Sequence, residues 1–143
     1  MTIKFDSKFF EKRGFDQKTI AKYFRNAVKD FKISSKNKEP EVIFNFSYCS
    51  MIKAGISLIA LYGFRIKSRT GHHIKILEKL SQILNDKNIE LIGDKMRKKR
   101  NFDFYDGGII ISQNEARQYL NFVKNIIVKA EKKIKSQKPL LKI

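Results

Sequence analysis

The sequence predicts an all-α protein, an up-and-down antiparallel bundle of four to five helices, on three observations. Apolar residues recur at helical spacing in successive stretches, the seven glycines and two prolines are too few for the turns of an all-β chain, and the connections are short. At 143 residues the chain fits one domain with a single core. That domain is the whole of residues 1–143, ending in a basic tail over 136–143. No internal repeat or linker interrupts it.

Residues 1–15 are mixed, with Phe5, Phe9, Phe10 and Phe15 as apolar pins and Gly14 as a break. Asp16 suits the N-cap of a first helix, because a short carboxylate can accept from the unpaired N–H groups of the first turn. Ile20, Tyr23, Phe24, Ala27, Val28 and Phe31 then share one helical face, with Lys18, Lys22, Arg25 and Lys29 elsewhere around it. Ser34 to Glu39 reads as a polar loop, and Pro40 fits the first turn of a second helix running to about Tyr62. That helix is apolar on nearly every side, so it is either central to the bundle or packed on a second copy of the chain.

Gly63 ends the second helix, and Arg65, Lys67 and Arg69 form a basic connection. Thr70 is the expected cap of a third helix, in which His73, Ile76, Leu77, Leu80, Ile83 and Leu84 share a face. Asn85 and Asp86 offer the next cap, and Ile89, Ile92 and Met96 carry a fourth helix as far as the break at Gly107-Gly108. Ser112 with Glu115 three residues on is a capping-box pattern. It opens a fifth helix through Ala116, Tyr119, Leu120, Val123, Ile127, Ala130 and Ile134. The lysine-rich end (Lys132, Lys133, Lys135, Lys138, Lys142), stopped by Pro139, is expected to fray.

The 31 Lys and Arg against 14 Asp and Glu leave a formal charge of +17, a field that attracts polyanions: nucleic acid, an acidic membrane surface or an acidic protein. A competing source is codon bias, since a chain rich in Lys, Ile, Asn and Phe without Trp is what an A- and T-rich genome encodes. One cysteine, Cys49, excludes an internal disulfide or a cysteine-based zinc site, and its apolar neighbours suit a small core residue. No apolar run follows a basic N-terminal head, so no signal peptide is expected. Val42 to Phe64 is long enough to span a bilayer but carries Asn45, Lys53 and several hydroxyls, which make insertion costly. The expectation is a cytoplasmic protein without a membrane partner.

Charge is densest from Lys95 to Arg100, just ahead of Asn101 and Tyr105. On a helix Arg97, Asn101 and Tyr105 lie nearly in line at i, i+4, i+8, and Arg100 sits beside that line. Near a helix C-terminus the dipole disfavours a phosphate, so side chains must hold it, and the forked guanidinium is the group suited to that task. Arg97, Lys98, Lys99 and Arg65 are the candidate nucleic-acid-binding residues, and Arg100, Asn101 and Tyr105 the candidate catalytic ones. The bland reading is a solvated basic face with Phe102 and Phe104 in the core and Tyr105 as a half-buried cap. His72 and His73 are secondary candidates. Adjacent on a helix, they point to different sides and cannot share a metal, and no metal site or cofactor is expected.

The order of elements resembles the HEPN superfamily, small all-α domains of prokaryotic toxin–antitoxin and antiviral systems, over about residues 16–135. The landmarks are the first amphipathic helix, the apolar second helix ending in Leu61-Tyr62-Gly63-Phe64-Arg65, and Gly71-His72-His73 opening the third. Arg100-Asn101 with Tyr105 before a glycine break, and the long final helix, complete them. The family pattern is an arginine, a polar residue such as asparagine, then a histidine a few positions on. Members with it are metal-independent ribonucleases that dimerise so that two motifs line one cleft. Arg100 and Asn101 match that pattern, whereas Tyr105 stands where the histidine belongs. A phenol with a reference pKa of about 10 is a poor base near neutral pH. Two readings therefore stand: Tyr105 acts as acid to the leaving oxygen with Arg97 and Arg100 lowering its pKa, or the site binds RNA or nucleotide without cutting. The resemblance further implies a homodimer and a nucleotidyltransferase antitoxin partner, for which Tyr105 would be a modification target.

Overall fold

A computed structural model of the chain describes residues 2–105, 107–108 and 110–138, without the side chains of residues 103–105. The protein is an all-α bundle of five helices: α1 (Gln17–Lys36), α2 (Pro40–Leu61), α3 (His72–Leu84), α4 (Lys87–Tyr105) and α5 (Gln113–Gln137). Two three-residue strands, β1 (Phe10–Lys12) and β2 (Phe64–Ile66), pair antiparallel with Glu11 opposite Arg65.

α2 lies at the centre. It packs most heavily on α1 and α5, and then on α3. Ile43, Phe44, Met51, Ala54 and Leu58 share one broad face of it, and all are fully buried. Between the two readings of its all-round apolar character, the central one holds. The other helices cover most of its circumference, while Val42, Phe46, Cys49 and Ile56 on one side are only half-buried. Among the described residues it is the one helix long and apolar enough to cross a membrane, and 67% of its apolar window is buried inside the fold.

Several boundaries differ from expectation for identifiable reasons. α1 continues through Ser34 to Lys36 because the buried Ser34 hydroxyl is satisfied across the α1–α2 seam. Its Oγ donates to the Ile43 carbonyl at 2.7 Å and lies 2.7 Å from Ser47 Oγ. Thr70 is not the cap of α3: Gly71, with φ 85, holds that place without a side-chain hydrogen bond. The expected fraying of the lysine-rich end does not extend through α5, which continues to Gln137 with Ile134 fully buried. Pro139 and Lys142 lie outside the described residues. Asp16 and Ser112 do cap, accepting from Thr19 N at 2.7 Å and Glu115 N at 3.0 Å. The Glu115 carboxylate pairs with Lys99 at 3.2 Å.

The strands were not anticipated, and they bring the N-terminal segment into the core. Phe10 is 2% exposed, and Phe5 stacks on Phe64 with ring centroids 4.2 Å apart. The pairing continues beyond the strands, where Lys67 N donates to the Phe9 carbonyl at 2.7 Å. Lys67 Nζ and Arg69 Nη1 donate to the Ser7 and Lys8 carbonyls at 2.7 and 2.8 Å. Residues 7–9 thereby pin the loop that delivers the chain into α3.

The α2–α3 crossing depends on a missing side chain. A Cβ at Gly55 would fall 2.5 Å from Ile76 Cγ2, a methyl on the branched, buried part of that residue. Gly55→Ala should therefore destabilise the fold by about 1–3 kcal/mol, overriding the roughly 1 kcal/mol helix-propensity gain of alanine. Urea denaturation of the two proteins checks this, and an unchanged or raised midpoint would mean that the crossing yields.

Candidate functional site

α4 is seated on α3 by Leu77, against which a Cβ at Gly93 would come within 2.8 Å, and by the buried Ile89 and Met96. Asp86 accepts from Asn88 N at 3.0 Å and starts the helix. This seating turns Arg97, Arg100 and Asn101 toward the first turn of α3. Together with Arg69, His72 and His73 they line one open pocket of about 470 Å³. The lining from Ser68 to Ile74 also places the N-terminal end of α3 in the wall. That end carries unpaired N–H groups and the positive end of the helix dipole, which attract an anion. The unfavourable dipole at the end of α4 is thus opposed by a favourable one from α3.

Each side chain has a definite tether. Arg97 Nε donates to Asp94 Oδ1 at 2.9 Å, with Nη2 also 2.9 Å from that oxygen, and Lys98 reaches Asp94 Oδ2 at 3.2 Å. Burial pushes the Asp94 carboxyl up, but the hydrogen bonds from Arg97 and Lys98 outweigh it and hold the group below the usual carboxylate range. The Arg100 guanidinium lies 5.2 Å above the Tyr48 ring, a cation–π seat on a side chain that is 1% exposed. Arg69 is fixed by the Lys8 carbonyl and by the Phe9 ring, 5.5 Å away.

The histidines sit together, contrary to the expectation that they face apart. Their rings are 4.5 Å from each other in an edge-to-face arrangement at the start of α3. His72 Nδ1 lies 2.8 Å from the Arg69 carbonyl. A carbonyl only accepts, so Nδ1 carries a proton, and in the neutral ring Nε2 then holds the lone pair. His73 Nδ1 lies 2.8 Å from Tyr48 Oη, its one hydrogen-bond partner among the described residues. Burial, opposed by Arg100 and Arg97, pushes the Tyr48 phenol up to about 12, so it stays protonated and donates. The proton of neutral His73 is then on Nε2. Burial, with the charges of His72, Arg100 and Arg97, lowers His73 to about 4. At neutral pH the pocket therefore offers arginine cations and, in His73, a neutral imidazole donor.

Of the sequence candidates, Arg97, Arg100, Asn101, His72 and His73 converge here. Lys98 is an exposed partner of Asp94, and Lys99 turns away to Glu115 and the Ile110 carbonyl. Arg65 lies on β2 and borders a neighbouring cleft. Tyr105 ends α4, and its side chain lies outside the described residues, as does that of Phe104. Phe102 is 67% exposed and so is not a core residue. Cys49 is half-buried, and burial raises its thiol. Sequence reasoning missed Tyr48, one aromatic among many on an apolar helix, and passed over Arg69 as part of a basic connection. Among the described residues no group of three or more His, Cys, Asp or Glu side chains is placed to hold a metal ion.

The arrangement is a cationic, histidine-bearing pocket on an all-α bundle. Comparison of the chain with protein-family models, with curated proteins and with solved structures returned no significant match.

The depressed His73 makes stability pH-dependent with a definite sign. The unfolded chain binds this proton near the ordinary value of 6.5 and the folded one only near 4. Between those limits the unfolded state holds more protons, so stability is complete above the upper one and declines as pH falls toward the lower. His73→Phe cannot gain the charge. From pH 7 to pH 5 its melting temperature should fall less than that of the parent by about 2–4 °C, measured by circular dichroism. Parallel curves would show that His73 does not carry this dependence.

Proposed function

We propose that the protein is RNA-directed and of the HEPN kind, a metal-independent endoribonuclease acting within a toxin–antitoxin or defence system. The observation that carries this reading is the convergence of Arg69, Arg97, Arg100 and Asn101 with two histidines around one pocket. Forked donors and a helix N-terminus suit a phosphodiester, and a neutral imidazole nitrogen suits proton removal. The motif resemblance of Arg100 and Asn101 points the same way.

In the reaction a 2′-hydroxyl oxygen forms a bond to the adjacent phosphorus and the bond to the 5′ oxygen breaks. The product ends are a 2′,3′-cyclic phosphate and a 5′-hydroxyl. His72 Nε2 takes the 2′ proton. Arg100, with Arg97, stabilises the charge that develops on the phosphoryl oxygens, and His73 Nε2 donates a hydrogen bond to it. Asn101 positions the nucleotide. The Tyr105 phenol returns a proton to the departing 5′ oxygen. The histidine absent from the motif is on this reading supplied by α3, through the turn before it. Homodimerisation and a nucleotidyltransferase partner belong to the proposal through the resemblance.

A second reading keeps the pocket as a binding module. It is favoured by Tyr105 in the motif position and by the Asp94 carboxylate that partly neutralises Arg97. It predicts steeply salt-dependent RNA binding without product.

Incubation of the purified chain with mixed RNA in EDTA separates them. Cleavage leaving cyclic phosphate ends is expected, with the rate falling about 100-fold or more in Arg100→Ala and comparably in His72→Ala. Tyr105→Phe should slow it less, because water can supply the last proton. An Arg100→Ala protein that cuts as well as the parent refutes the site. Binding without product leaves the module reading.

A further inference from the structure

Beside the basic pocket lies a second cleft, about 300 Å³ in volume, that the proposed chemistry does not use. The two cavities share Ser68, His72 and His73 as a common wall. On its far side the cleft is apolar and aromatic, formed by Phe15, Tyr23, Ile56 and Phe64, with Arg65 also in its lining. We infer that this cleft is a nucleobase subsite, taking one base of an RNA strand whose phosphate occupies the adjoining arginine pocket. The inference rests on the phosphate-pocket reading above and adds to it the means by which a base is gripped.

Three features fit that occupant better than imperfect packing does. The aromatic groups are half-buried rings held in place from behind, not loose surface residues. Phe64 is stacked by Phe5 at 4.2 Å. Phe15 meets Tyr23 edge-on at 5.7 Å and has the Arg13 guanidinium 5.6 Å from its centre. Rings fixed in this way present aromatic surface at little entropic cost, as stacking of a base requires. The volume is at the small end of ligand pockets, enough for one ring system while the sugar and phosphate remain outside. Polar groups stand at the edges, namely Ser68, the Tyr23 phenol and Arg65. They can meet the hydrogen-bonding edge of a base.

The shared histidine wall gives the arrangement its consequence. A base seated between Tyr23 and His73 places the attached ribose at the boundary between the cavities, beside His72, where the 2′-hydroxyl must lie to lose its proton. The cleft then selects which nucleotide is presented and orients it. It takes no part in the bond changes.

The test measures binding, so it does not depend on whether cleavage occurs. A fluorescein-labelled six-nucleotide RNA of mixed sequence is compared by anisotropy with its fully abasic counterpart, equal in phosphate charge. The parent should bind the base-bearing probe about tenfold more tightly than the abasic one. Tyr23→Ala and Phe15→Ala should reduce that ratio to about threefold or less while leaving the abasic affinity within about twofold. Arg100→Ala should weaken both probes alike and keep the ratio. Equal affinity of the parent for the two probes, which needs no variant, overturns the subsite and leaves the phosphate pocket standing. So does a Tyr23→Ala protein that keeps the full ratio or loses both probes together. Failure of the parent to bind either probe overturns the phosphate pocket and the subsite with it.

Discussion

The constraint on which this fold depends is the burial of α2. Its 22 residues include one glutamate and one lysine as their only charged side chains, and a helix this apolar is stable in water only when enclosed. Each large aliphatic or aromatic side chain it buries contributes roughly 1.5–3 kcal/mol. That gain draws α1, α5 and α3 around it. Apolar burial alone does not fix a register, and the polar groups on the α1–α2 seam supply one. Ser50 donates to the Ala27 carbonyl, Ser34 meets Ser47, and Lys53 Nζ sits 2.6 Å from the nearly buried Asp30 carboxylate. A slip along the seam would leave several of these groups unpaired in the interior, at a cost of about 1–3 kcal/mol each.

The candidate site grows out of the same helix. Tyr48 is buried against the bundle, yet its hydroxyl emerges at His73 and its ring face lies beneath Arg100. One α2 side chain thus sets the position of a residue from α3 and another from α4. The N-terminal segment holds the opposite side: β1 and the residues before it tie down the loop through Arg69, and the Arg69 carbonyl fixes the tautomer of His72. The pocket is assembled from elements spread over much of the chain, and rigid packing holds its charged side chains in preset positions.

How much of this is legible in the sequence follows from the range of each interaction. The helices are written locally, in the recurrence of Ile20, Phe24 and Ala27 or of Tyr119, Val123 and Ala130, and in the caps at Asp16 and Ser112. The fold class needs no more than that. β1 and β2 are three residues each and gain their meaning only from a partner some fifty positions away, so no periodicity announces them. The candidate site divides along the same line. Arg97, Arg100 and Asn101 are neighbours on one helix, and their spacing alone brings them together. The pairing of His73 with Tyr48 spans 25 residues and two helices. Nothing in the Gly71-His72-His73 stretch states which residue lies opposite. Lys98 and Lys99 looked equivalent to the arginines in sequence, but the pull of Asp94 and Glu115 sends them elsewhere.

The placement of arginine decides how the large positive charge should be read. A genome biased toward A and T raises lysine together with isoleucine, asparagine and phenylalanine, and such a bias scatters its lysines wherever the surface tolerates them. Of the 31 basic residues, 24 are lysine and seven arginine. No lysine lines the basic pocket or the adjoining cleft, whereas Arg69, Arg97 and Arg100 line the first and Arg65 the second. Codon bias accounts for the abundance of positive charge but not for this sorting. The sorting matters chemically because a guanidinium is a forked, permanently charged donor able to grip a phosphate in bidentate fashion, which an ammonium is not. The lysines spread positive charge over the surface, and the arginines concentrate it at one place.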